Sequence, residues 1–260
     1  MAPRAANPLL WAGAWLILLF LFVPVLITFP VSFTDTSYLS LPTQGVSLRH
    51  YQALLADPQW LASAGRSALV ASISAVIATL LGGLCAFACW QLTGGLPGLI
   101  RGLMLLPLII PHIVSALAFR RTLVNLGLFD TFAGAILADV IISMPYAFVC
   151  VAASLTLFDP KLLQAARSLG ASRLLAMRRV LVPSILPGLL SGLLFSFITS
   201  WDELVILLFI TSRTILLPRK LLQGIQDYID PSIAAVASIF VILTAIGVVV
   251  AGAYRRRAAA

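Results

Sequence analysis

Long apolar stretches separated by short polar ones make up this chain, and within the stretches apolar residues run on continuously instead of alternating with polar ones. Six such runs fall at about 9–33, 67–90, 102–119, 132–157, 184–210 and 233–254. A hydrocarbon core of ~30 Å takes roughly 20 residues to cross as helix. A helix also satisfies its own backbone in lipid, whereas barrel strands would show a period of two. The pattern therefore predicts an all-α integral membrane protein with six transmembrane helices. The first run is too long for a signal-peptide core and lacks a clear cleavage site, so it reads as a retained anchor. Two polar stretches predict short surface helices. These are "LRHYQALLADPQW" at 48–60 and "LLPRKLLQGIQDYIDP" at 216–231, the latter bounded by Pro218 and Pro231. Residues 1–260 read as a single transmembrane domain.

Composition agrees. Only 10% of residues are charged, where soluble domains carry about 25%, and the mean hydropathy is +1.06. The net charge of +8 finds no soluble, aromatic-laced basic module, so no nucleic-acid partner is expected. The basic residues instead flank the spans. With both termini inside, the inner side holds ten: Arg4, Arg101, Lys161, Arg167, Arg173, Arg178, Arg179 and Arg255, Arg256 and Arg257. The outer side then holds seven, Arg49, Arg66, Arg120, Arg121, Arg213, Arg219 and Lys220. The positive-inside rule favours this orientation, with both termini cytoplasmic. Cys85, Cys89 and Cys150 lie in apolar runs without metal-ligand spacing and read as small buried side chains.

One inner loop, at about 158–183, is long and basic. Asp159 and Pro160 give a helix start, Leu162, Leu163, Ala166 and Leu169 give helical spacing, and Gly170 can take the left-handed turn that stops it. Ser172 can cap a second helix, and Pro183 is expected to hold Val182 out of helical conformation before the next span. Such an element leaves apolar groups on the water side. Either another protein covers it, or its arginines rest on anionic lipid.

The loop carries a resemblance. Gln164, Ala165, Ala166, three residues, Gly170, nine residues and then Val180, Leu181, Val182, Pro183 is similar to the E-A-A…G…I-x-L-P loop of permeases from binding-protein-dependent ABC importers. Gln164 stands where the family has Glu, which removes a carboxylate from any contact to a partner. "SFITSWDELVILLFIT", "DPSIAAVASIFVILT" and "LPLIIPHIVSALAF" resemble the spermidine and putrescine permeases, specifically their C-type half. The resemblance implies a type I importer transmembrane domain in the bacterial inner membrane. It implies that Gln164, Ala165, Ala166, Arg167, Leu169 and Gly170 contact an ATPase subunit, with the segment from Ala171 and Ser172 to Arg179, and Pro183 beyond it, bracing that contact. The implied partners are two ATPase subunits, a second, related permease subunit and an extracytoplasmic solute-binding protein. No G-x-x-x-x-G-K-[ST] loop occurs here, so this chain is expected to hold no cofactor, and ATP with its magnesium would sit on the partners.

Acids in a span cost roughly 2.5–3.5 kcal/mol each at the centre, so Asp139, Asp202 and Glu203 need a reason. Asp139 reads either as part of a cation path or as a hydrogen-bonded interior group. Asp202 and Glu203 are neighbours about 100° apart on the expected continuous fifth helix, so one of them would face a pore. The alternative is contact with basic groups of the binding protein or an outer loop. Trp201 could stack an ammonium. His112, between Pro107 and Pro111 in a span expected to be broken, is either an interior group or part of the path. In similar permeases its position is often acidic, so His112 leaves room for solutes other than a polycation, such as an amino acid derivative, an opine or a phosphonate. A self-sufficient secondary transporter would need ion-coupling sites and an internal repeat. A membrane enzyme would need a convergent catalytic set, and neither H-E-x-x-H nor G-x-S-x-G appears.

Overall fold

Proline and helix capping decide where the helices of this chain stop. In a computed structural model, residues 8–43, 45–214, 216–227, 231–242 and 245 are described. The helices are α1 (Pro8–Ser32), α2 (Arg49–Ala56), α3 (Pro58–Gln91), α4 (Leu96–Ile109), α5 (His112–Asn125), α6 (Phe132–Leu157), α7 (Lys161–Ser168), α8 (Arg173–Ala176), α9 (Val182–Trp201), α10 (Val205–Ile210), α11 (Leu217–Asp227) and α12 (Ser232–Ile242). Arg4, Arg255 to Arg257 and the end of the expected sixth span lie outside the described residues.

Four helices are long and apolar enough to cross a membrane: 9–32, Pro58–Gln91, Phe132–Leu157 and Arg173–Trp201. The pair α4 and α5, apolar enough together but bent by 103°, is either one broken span or a re-entrant loop. The described residues thus hold up to five spans, where the sequence predicts six; the apolar run at 233–254 contributes only the helix Ser232–Ile242 within them. The α4–α5 bend has a local cause. Pro111 keeps Ile110 extended (φ −75°, ψ 128°) and has no N–H to continue the ladder. The break expected from Pro107 and Pro111 is therefore present, and it sits at Pro111.

Three expectations are corrected. The surface helix at 48–60 splits at Asp57, which is extended before Pro58 and whose carboxylate accepts the Gln59 N–H at 2.8 Å, starting α3. Val182 is helical (φ −58°, ψ −45°), and Pro183 does not separate the loop from the span. A π-helical turn, Met177–Leu181, joins α8 to α9 instead. Its wider i→i+5 ring takes up a proline that would otherwise clash with the carbonyl four residues back. The expected continuous fifth helix ends at Trp201 and restarts at Val205.

The chain forms two compact units, residues 1–61 with 221–260, and residues 62–220. In the first, Phe33 packs on Tyr51 and Ser32 Oγ bonds the Tyr51 hydroxyl at 2.8 Å. Buried His50 places Nε2 at 3.1 Å from the Thr36 carbonyl. In the second, α6 and α9 lie against each other along Asp139, Ser143 and Ala147 on one side and Gly188, Gly192, Ser196 and Ser200 on the other. Small residues at every fourth position let two backbones approach closely in lipid. A Cβ added at Gly192 would lie 3.1 Å from Ala147 Cα.

One carboxylate ties the turn before α6 to the segment after α10. Asp130 takes a left-handed backbone (φ 59°), and its carboxylate accepts the N–H groups of Ser212, Arg213 and Thr214 at 2.6–3.0 Å. The Thr214 hydroxyl bonds the Asp130 carbonyl at 3.2 Å. Partial burial pushes the Asp130 carboxyl up, but these donors outweigh it and hold it below the usual carboxylate range.

A Cβ at Gly82 would meet the Met144 carbonyl oxygen at 2.8 Å and the Phe148 nitrogen at 2.9 Å, both backbone, whereas at Gly83 the nearest atom is a Leu189 methyl at 3.6 Å. Gly82→Ala should cost about 1–3 kcal/mol by overpacking and Gly83→Ala much less, read as thermal unfolding in detergent. Asp130→Asn should lower the melting temperature by a few degrees at neutral pH. Because the folded carboxyl is more acidic than the unfolded one, its stabilisation is full above the ordinary value of about 4 and is lost as pH falls through the lower folded value. The gap between wild type and D130N should therefore be constant from pH 5 to 8 and close in stronger acid.

Candidate functional site

Two groups of residues stand out, one among the broken spans and one on the loop between α6 and α9. In the first, both chain breaks come together. The N-terminal residue of α5 is His112, and its Nδ1 lies 3.2 Å from Glu203 Oε2. Glu203 follows the end of α9, where Asp202 (φ −93°, ψ 0°) closes the helix. The other oxygen, Glu203 Oε1, accepts the Ile206 N–H at 2.9 Å and so caps the first turn of α10. The carboxylate is the reason the helix restarts there. Packing holds the two breaks in register: Ala116 and Leu123 of α5 share a core with Ile206, Leu207 and Ile210 of α10.

Burial separates the two neighbouring acids. Glu203 is 4% exposed, while Asp202 is exposed to the surroundings. The sequence could not choose between them; the geometry brings Glu203 to His112 and leaves Asp202 at the helix end. Trp201 stacks on Phe197 at 5.8 Å between centroids.

Asp139 is buried on α6. Ser200 Oγ of α9 donates to its Oδ2 at 2.5 Å, Ser143 Oγ donates to its carbonyl at 2.7 Å, and Ser196 Oγ donates to the Ser143 carbonyl at 3.2 Å. Oδ1 has no hydrogen-bond partner among the described residues. Of the two readings of Asp139, the bond to serine is met by one oxygen and leaves the other open. Ser200 was not singled out from the sequence. Its signal was the four-residue spacing of Gly188, Gly192, Ser196 and Ser200, which sets it on the face of α9 turned to Asp139. No group of His, Cys, Asp and Glu among the described residues could hold a metal ion.

The loop forms as two short helices. Asp159 Oδ1 accepts the Lys161 N–H at 2.9 Å and starts α7. Gly170, at φ 88°, stops it: its N–H bonds the Arg167 carbonyl and the Ala171 N–H reaches back to the Ala166 carbonyl, satisfying two carbonyls of the last turn. A side chain at Gly170 has open space but the wrong backbone region. Ser172 Oγ caps α8 through the Leu175 N–H at 3.3 Å. Arg173 Nη2 braces the element against the end of α3, donating to Gln91 Oε1 at 2.7 Å.

The loop has two faces. Leu163, Met177 and Val180 pack on a core with Phe158, Leu181 and Ile185. Outward, Leu169 is 89% and Leu174 75% exposed, beside exposed Gln164, Ala165 and Arg167. A concavity of about 590 Å³ is lined by Gln164, Arg167, Ser168, Gly170, Ala171, Ser172 and Arg173. Leu169 and Leu174 thus stand on the outward side of the loop, opposite the face that packs on the core.

Comparison with known proteins places the chain in a family. Residues 78–259 match the family described as binding-protein-dependent transport system inner membrane component. The chain is 29% identical over 226 residues to the spermidine/putrescine transport system permease protein PotC of Haemophilus influenzae, covering 86% of this chain and 88% of that one. It is 29% identical over 248 residues to the putrescine transport system permease protein PotI of Escherichia coli, covering 88% and 84%. Its fold is similar to a chain of a bacterial alginate ABC transporter in complex with alginate pentasaccharide-bound periplasmic protein, with a TM-score of 0.70, 16% identity, and 94% and 90% of the two chains covered. With its broken apolar spans and its exposed loop, the chain belongs to the binding-protein-dependent transport system inner membrane component family, and is a multi-pass permease component of an ABC importer.

Proposed function

We propose that this permease moves a small cationic solute of the polyamine type inward, by alternating access driven by two separate ATPase subunits. The observation that carries the solute class is the buried carboxylate Glu203 at the junction of two broken spans, with Asp139 buried nearby on α6. An ionisable residue within the spans of a membrane protein marks a path for substrate or ion. The similarity to PotC and PotI supports the same class. Delivery falls to an extracytoplasmic binding protein, as the periplasmic protein in the alginate transporter complex supports. A second, related permease subunit completes the path, and both termini face the cytoplasm.

Coupling falls to the loop. Leu169 and the Gln164–Gly170 surface enter a groove on the ATPase subunit, and the bond from Arg173 to Gln91 passes the load to α3. The π turn carries it on into α9 without a flexible joint. Gln164 meets the ATPase as a neutral amide.

Two experiments test this reading. Gly170→Leu forces a left-handed backbone on a residue with a Cβ, at roughly 1–2 kcal/mol, and Leu169→Asp removes the apolar tip without backbone strain. Both variants should reach the membrane yet lose the ATPase subunits on copurification; a fully coupled complex with either would contradict the docking role. In uptake assays with radiolabelled spermidine, Glu203→Gln should abolish most transport with the complex intact. Asp202→Asn should reduce it far less, and equal loss in both would remove the distinction drawn from burial.

A further inference from the structure

We propose that His112 is an internal substitute for the solute's ammonium group: it occupies Glu203 while the path is empty and is displaced when a cation arrives. The inference rests on the reading of Glu203 as the solute-binding acid and concerns how that acid is kept available.

Both oxygens of Glu203 are engaged. The donor to Oε1 is the backbone N–H of Ile206, which cannot leave without unwinding α10. The donor to Oε2 is His112 Nδ1, and opposite a carboxylate that nitrogen carries the hydrogen. The two partners differ in freedom. The Glu203 side chain is 4% exposed and fixed, whereas that of His112 is 45% exposed. His112 also opens α5 directly after the bend at Pro111, so no preceding helical turn confines its ring. Rotation about its side-chain bonds can withdraw the ring while the backbone stays in place.

This arrangement answers a physical requirement. A carboxylate with an empty coordination position costs several kcal/mol in a low-dielectric setting, so a permease that waits empty for solute needs a resident donor. Exchange of one donor for another leaves the number of hydrogen bonds at Glu203 unchanged. It also makes His112 a specificity determinant, since a solute without a hydrogen-bond donor cannot replace it. Asp139 does not share this exchange: its Oδ1 is buried and unpartnered among the described residues, and its Oδ2 is held by Ser200.

Binding of radiolabelled spermidine to the purified permease–ATPase complex in nanodiscs, without binding protein, tests the exchange. His112→Ala removes the competitor and should tighten binding by about tenfold, the scale of one charge-assisted hydrogen bond. His112→Asn returns a donor near the Nδ1 position and should bind more weakly than H112A. Glu203→Gln should lose binding in either His112 background, a coupling that a purely structural role would not produce. Binding by H112A equal to or weaker than wild type would overturn the exchange, as would tight binding that survives E203Q. Uptake is measured separately: a wild-type complex that does not import spermidine overturns the polyamine reading, while the ratio between H112A and wild type still decides the exchange, because the probe is simply a cation meeting a carboxylate.

Discussion

In hydrocarbon every interrupted helix and every carboxylate must find its partner inside the protein, and the arrangement around Glu203 meets both demands with one side chain. Glu203 satisfies the backbone N–H freed where α10 begins, and its remaining oxygen is met by His112 at the opposite break. Without that double role, the Ile206 N–H at the start of α10 and the His112 ring at the start of α5 would each lose this partner. The rest of the inner packing follows. α5 and α10 are held together by aliphatic side chains on either side of the pair, and the small-residue seam between α6 and α9 brings Ser200 against Asp139.

A rigid path connects this region to the exposed loop. α9 carries Ser200 at one end and continues through the π turn into α8 at the other, and α8 is pinned to α3 by Arg173 and Gln91. This helical run ends at Trp201, two residues before Glu203. Asp202 and Leu204, in the short break after Trp201, sit outside regular helix. One helical run thus joins the exposed loop to the residues beside a buried carboxylate.

Much of this was legible in the sequence. Run length located the four long apolar helices, because crossing lipid leaves little choice of length. The loop was legible residue by residue, since Asp159, Gly170 and Ser172 each act on backbone groups within three residues of themselves. What escaped notice depends on distant partners. The Asp130 clamp joins segments 82 residues or more apart, and nothing local marks it. The break at 202–204 was hidden because two acids after an apolar run look like a helix end or a polar turn of a continuous helix alike. The choice is made by Glu203 turning back on Ile206 and by a histidine from another span. Pro183 misled for the opposite reason. Its local preference is real, but the π turn before it removes the clash, so a proline that should separate two helices joins them.

The proposed function makes this permease a passive path driven from outside. Its most direct test is reconstitution of the permease pair with its ATPase subunits in liposomes, with binding protein outside, and measurement of radiolabelled spermidine accumulation with and without ATP on the nucleotide-accessible side. Accumulation that requires ATP and stops when the ATPase subunits are left out is the expected result. Accumulation by the permease alone, driven by a proton or sodium gradient, would contradict the account.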